Sequence, residues 1–126
     1  MDDPDYLPPI LDSIDWKKFP DVEAWITDQS GQTPAPPPRR INELITPPKG
    51  QTPEQRELHA RDVYGVITTI VIPRRFRQVW GNKVLEQDYQ QNQAKYIQGF
   101  RKQDPVARDW YRAVIRLMKR AGIKEW

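Results

Sequence analysis

Apolar positions recur with helical spacing over long stretches of this chain and break off where prolines cluster. The clearest start is Thr52-Pro53-Glu54-Gln55, which places threonine at an N-cap, proline at N1 and glutamine at N3. Leu58, Val63, Val66, Ile67 and Ile70 then predict a helix over 53–72. Its second half, Val66 to Ile72, is a β-branched run that also suits a strand. The cap upstream favours helix, and Pro73 is expected to end or kink it. Phe76, Trp80, Val84, Leu85, Tyr89, Tyr96 and Phe100 predict a second helix over 74–102, with Gly81-Asn82 as a point of interruption. Asp104-Pro105 opens a third, over 105–121, with Val106, Trp110, Val114, Leu117, Met118 and Ala121 on one side and Gly122 as its stop. Trp80 and Trp110 fall on the apolar stripes of adjacent helices and are expected in the core. The expected fold is mostly α, a small bundle of about three helices over 52–121.

Upstream the pattern is broken. Residues 1–31 form an acidic segment with two short predicted helices. Pro8-Pro9 opens the first, which carries Ile10, Leu11, Ile14, Trp16 and Phe19. Pro20 opens the second, with Val22, Trp25 and Ile26, and Gly31 is its stop. Residues 32–51 read as a proline-rich extended linker, with Pro34-Ala35-Pro36-Pro37-Pro38 in polyproline II. An apolar island, Ile41, Leu44 and Ile45, lies between two proline clusters and has the look of a docking segment. Trp16, Phe19, Trp25, Ile41, Leu44 and Ile45 are therefore expected as anchors of an arm that docks on a partner. The third unit, 52–126, is the basic helical bundle.

Composition sharpens this picture in two ways. Seven of the thirteen prolines lie between Pro34 and Pro53, so the packed part should be smaller than the chain. Residues 1–30 hold eight acids and two bases, a net −6, and the remainder eighteen bases and nine acids, a net +9. An acidic head on a basic body either folds back or docks on a neighbour. The acidic start, without a basic or apolar leader, points away from a secretory signal and towards an intracellular or particle-borne protein. The run from Val66 to Ile72 is too short to span a bilayer, so no membrane insertion is expected.

Catalytic chemistry is thinly represented. The chain has no cysteine, which excludes disulfides, thiolate metal sites and cysteine nucleophiles. His59 is the single histidine, expected on a helix surface beside Arg61 and Asp62. Ser13 and Ser30 lack nucleophile settings, and the six glycines form no phosphate-cradling loop. No enzyme activity and no cofactor are expected. The basic signal is stronger. Arg108, Arg112 and Arg116 step along one helix at four-residue intervals, followed by Lys119 and Arg120, and Arg74, Arg75 and Arg77 cluster upstream. Guanidinium rows suit carboxylates on a protein partner or phosphates of a nucleic acid. Pro34 to Arg39 also matches a short P-x-x-P-x-R ligand pattern, for which a stiff spacer is the simpler explanation. The expected role is a non-enzymatic structural or adaptor subunit of a larger assembly, whose partners are other protein subunits. A small nucleic-acid-binding subunit is the alternative.

Overall fold

A computed structural model describes residues 14–124 except 29 and 82. The fold is mostly helical, with no strand among the described residues. Thr52 forms the expected capping box: its hydroxyl accepts from the Gln55 N–H at 3.2 Å, and its own N–H donates to Gln55 Oε1 at 3.0 Å. Helix α3 runs from there over Pro53–Val66 and is followed without a break by a π-helical turn, Ile67–Val71, and by α4, Ile72–Trp80. The β-branched run is thus helical, and Pro73 does not end the helix.

The π turn explains both facts. Val66, Ile67, Val71 and Ile72 are all fully buried. In a regular α-helix, positions five apart point well away from each other. The wider turn, closed by the Ile72 N–H on the Ile67 carbonyl, brings both pairs onto one face. It also ends just before Pro73, which has no N–H to contribute. The Thr68 and Thr69 hydroxyls donate back to the Tyr64 and Gly65 carbonyls.

The second expected helix, 74–102, is in fact three pieces. Helix α4 stops at Gly81, where a Cβ would lie 2.3 Å from the Arg77 carbonyl oxygen. The chain turns, forms α5 over Glu86–Gln91, breaks at Asn92, and continues as α6 over Gln93–Gln103. This folds an aromatic cluster together. Tyr89 stacks on Phe76 with centroids 5.1 Å apart, and Phe100 meets Phe76 edge-on at 5.3 Å. Trp80, expected in the core, is instead 40% exposed, with the Lys83 ammonium over its ring after the turn at Gly81.

Helix α7, Pro105–Arg120, follows the expectation closely. Asp104 caps it through the Ala107 N–H, and Ala107, Trp110, Val114, Leu117 and Met118 form its buried side. Gly122 adopts φ +77°, and the Ile123 and Gly122 N–H groups donate to the Met118 and Lys119 carbonyls. That is a Schellman stop, completed by buried Ile123.

The N-terminal part departs most from expectation. After a short 3₁₀ turn at Trp16–Lys18, α1 covers Pro20–Thr27 and buries Val22 and Trp25. Residues 34–37 are non-helical, but Pro38 opens a second helix, α2, over Pro38–Ile45. Helix α2 packs on α3 and α7 and buries Ile41, Leu44 and Ile45. These side chains share one hydrophobic cluster with α3, α4, α6 and α7. The proline-rich stretch is therefore only partly extended, and its apolar island completes the chain's own core.

Candidate interaction surfaces

Each basic cluster has a different fate. On α4, all three arginines are engaged internally. Arg74 Nε donates to the Trp25 carbonyl at 3.1 Å, tying α4 to α1. Arg75 donates to both Asp104 oxygens, at 2.7 and 3.2 Å, so the α7 cap is also an ion pair. Burial alone would raise the Asp104 carboxyl, but Arg75 and the Ala107 N–H hold it below the usual carboxylate range. Arg77 grips Glu86 through two hydrogen bonds, at 2.9 and 3.0 Å, and lies 4.6 Å from the Tyr89 ring centroid. With Arg77 and then Gln90 donating to it, the Glu86 carboxyl is lowered to about 2. These guanidiniums set the register between elements.

Helix α7 is different. Arg108, Arg112 and Arg116 are exposed and make no ion pair among the described residues. Lys119 and Arg120, also exposed, extend the row towards the C-terminal end of the helix. Asp109 is the one acid in α7. Successive positions four apart lie on one side of a helix about 6 Å apart along its axis. The row thus presents three guanidiniums in a line, a geometry suited to carboxylates or phosphates on an extended partner.

The six expected arm anchors are spent on the protein itself. Trp25, Ile41, Leu44 and Ile45 are buried, and Trp16 and Phe19 pack against the same core half-buried. Arg40 of α2 clamps the arm to α1. It donates twice to Asp21, both at 3.0 Å, and once to the Lys18 carbonyl at 2.7 Å, while its guanidinium lies 4.9 Å from the Phe19 centroid. In this structure these anchors pack on the protein's own helices and do not stand out as a free arm. The acidic character of this segment is partly met by its own structure. Asp21 serves Arg40, and Asp28 accepts from the backbone and hydroxyl groups of Ser30 and Thr33, hydroxyls first, which hold its carboxyl far below the usual range.

His59 corrects a second expectation. It is not on the surface but 4% exposed, at the packing of α3 against α2, and Asp62 beside it is buried as well. Neither ring nitrogen makes a hydrogen bond; the Ile45 carbonyl lies nearby, outside hydrogen-bonding geometry. Burial pushes the imidazole below its ordinary range, against the opposing pull of that carbonyl and of Asp62. Among the described residues no three His, Asp or Glu side chains converge as a metal site would require.

One surface escaped the sequence reading. A groove of about 610 Å³ opens between α4 and α6. Its floor holds Phe76, Tyr96, Phe100 and Gly99, with Trp80 and Val84 as walls and Lys83 and Lys95 at the rim. The available signal was Gly99, a glycine in the interior of a predicted helix, between aromatic positions.

The chain matches no protein family, no curated sequence and no solved structure. None of the described helices is long and apolar enough to cross a membrane.

Proposed function

We propose that the protein is a non-enzymatic structural or adaptor subunit of a larger assembly, engaging an acidic protein partner through the arginine face of α7. The observation that carries this reading is the contrast between the two arginine clusters. Those of α4 are bound to Trp25, Asp104 and Glu86, whereas Arg108, Arg112 and Arg116 stand exposed in a row. Three aligned guanidiniums outside the ion pairs of the described residues are available for a partner. Arginine also gains from planar, bidentate pairing with carboxylates.

Reversal of all three arginines to glutamate tests it. Exposed pairs contribute about 0–1 kcal/mol each to stability, so the melting temperature should stay nearly unchanged. Tagged full-length protein purified under native conditions should bring down a fixed-stoichiometry partner, and the triple variant should lose it. Retention of the partner at physiological salt would remove the α7 face from the interface. A nucleic-acid role is the second reading, favoured by the same exposed row of arginines, whose spacing also suits phosphates. Binding to oligonucleotides with a steep salt dependence, lost in the same variant, would favour it over a protein partner.

A further inference from the structure

The groove between α4 and α6 has features that the fold does not require. Gly99 lies within α6, where glycine is less stable than alanine. Its backbone is ordinary helix, and a Cβ built there would meet nothing within 4 Å. Neither conformation nor packing calls for glycine at this position. What the missing side chain provides is depth in the groove it lines. Trp80, which lines the groove, is 40% exposed, and Val84 beside it is only half-buried. Large apolar side chains left open beside a groove mark an interaction site.

The rim supplies charge. Lys95 makes no ion pair among the described residues, and the Lys83 ammonium sits 4.8 Å from the Trp80 centroid. Asp88, which also lines the groove, accepts from the Tyr96 hydroxyl and the Asn92 amide, and the lining holds the two lysines against this one carboxylate. The rings of the floor do not make a flat stacking platform: Phe76 and Phe100 are buried and meet at 89°. A compact apolar side chain flanked by carboxylates fits this site better than a nucleobase.

The chain's own sequence contains such a segment. Asp2, Asp3, Asp5 and Asp12 flank Tyr6, Leu7, Ile10 and Leu11, while residues 31–126 carry a net +9. Residues 1–13 lie outside the described structure. We propose that the groove binds the Asp2–Asp12 segment of a second copy of the chain, with an apolar side chain of that segment over Gly99 and its aspartates against Lys83 and Lys95. The contact is heterologous, head of one copy to groove of the next, so repetition builds a ring or an open filament. It does not use the α7 arginines.

Sedimentation velocity of the full chain over a range of concentrations tests this. Association beyond a dimer is expected at low salt, weakening as salt rises. Gly99→Leu should raise the apparent dissociation constant at least roughly tenfold, as loss of a central contact does. Its melting temperature should not fall, because the added side chain has space; Gly99→Ala should raise it. Replacing Asp2, Asp3, Asp5 and Asp12 by asparagine should weaken association similarly. The decisive arm is complementation. The Gly99→Leu protein keeps an intact head and the asparagine variant an intact groove, so their mixture should form a one-to-one dimer and nothing larger. A wild-type chain that is monomeric at every concentration would overturn the proposal. So would oligomers that persist in Gly99→Leu, or a mixture that stays monomeric. The Arg108/Arg112/Arg116 reversal should leave self-association intact, which separates this result from the α7 reading.

Discussion

At His59 burial outweighs the neighbouring charge. The ring is held below its ordinary pKa of about 6.5 by desolvation, and Asp62 recovers only part of that. The consequence for stability has a definite sign. Above about pH 6.5 the imidazole is neutral in both folded and unfolded chains, and the fold loses nothing. As pH falls below that, the unfolded chain takes up a proton that the folded chain resists, so stability declines with acid. Urea unfolding at about pH 8, 6.5 and 5 should show this decline before the exposed carboxylates titrate. His59→Leu, of similar size and without the two unpaired nitrogens, should flatten it and should not be less stable at the alkaline end. An unchanged acid slope in His59→Leu would mean that the ring is solvated or paired in solution. Trp80 shows the converse of His59: an aromatic expected inside stands at the rim of a groove. Both departures have one cause. Helical spacing says which residues share a face, while burial depends on what packs over that face, which the spacing does not contain.

At the scale of elements, what was legible was local. The Thr52 box, the Asp104 cap and the Gly122 stop each lie within one turn, and the structure contains all three. The arginine row of α7 was legible for the same reason, since four-residue spacing on a capped helix fixes a face. The π turn was not, because a constant 3.6-residue period cannot reveal a turn of a different period. The division of 74–102 into α4, α5 and α6 was hidden similarly: Asn92 interrupts an otherwise periodic stripe, and only the fold-back onto Phe76 rewards the break. The groove follows from that fold-back and so was illegible with it. The π turn itself makes a prediction. Thr69 is exposed, and Thr69→Ala should change stability by no more than about 0.5 kcal/mol, the usual range for surface positions. Deleting Thr69 should do far more. Removing one residue converts the π turn to a regular α turn, in which Val66/Val71 and Ile67/Ile72, now four apart, still share a face. But it sets Pro73 against a regular helical turn, which costs about 3 kcal/mol or more. A deletion variant whose urea midpoint matches Thr69→Ala would show that the extra residue is dispensable.

For the whole molecule the question is whether the basic body stands without the N-terminal segments. Caps and spacing alone suggest that residues 52–126 form an independent bundle, but the packing argues otherwise. Helix α2 lies against both α3 and α7 and places Ile41, Leu44 and Ile45 between them, while α1 adds Val22 and Trp25 to the same cluster. Truncating one buried Leu or Ile to Ala costs about 2–5 kcal/mol. Small domains have only about 5–15 kcal/mol in total. Losing five buried side chains together costs about 10 kcal/mol even at the lower end of each cost, as much as many small domains have in total, and it also leaves an apolar face of α3 and α7 open to water. The fragment 52–126 should therefore lack a cooperative urea transition, or unfold at a far lower midpoint than the full chain, with reduced helix by circular dichroism. Hydrogen exchange on the dilute full-length protein gives the complementary readout. Amides of α1 and α2 should be protected to a degree approaching those of α3 and α7, since the Arg40 clamp and the shared cluster make them one cooperative unit. Rapid exchange over 20–27 and 38–45 beside slow exchange in α7 would show that the head is only lightly held. It would then return these segments to the role of an arm that is ordered by a partner.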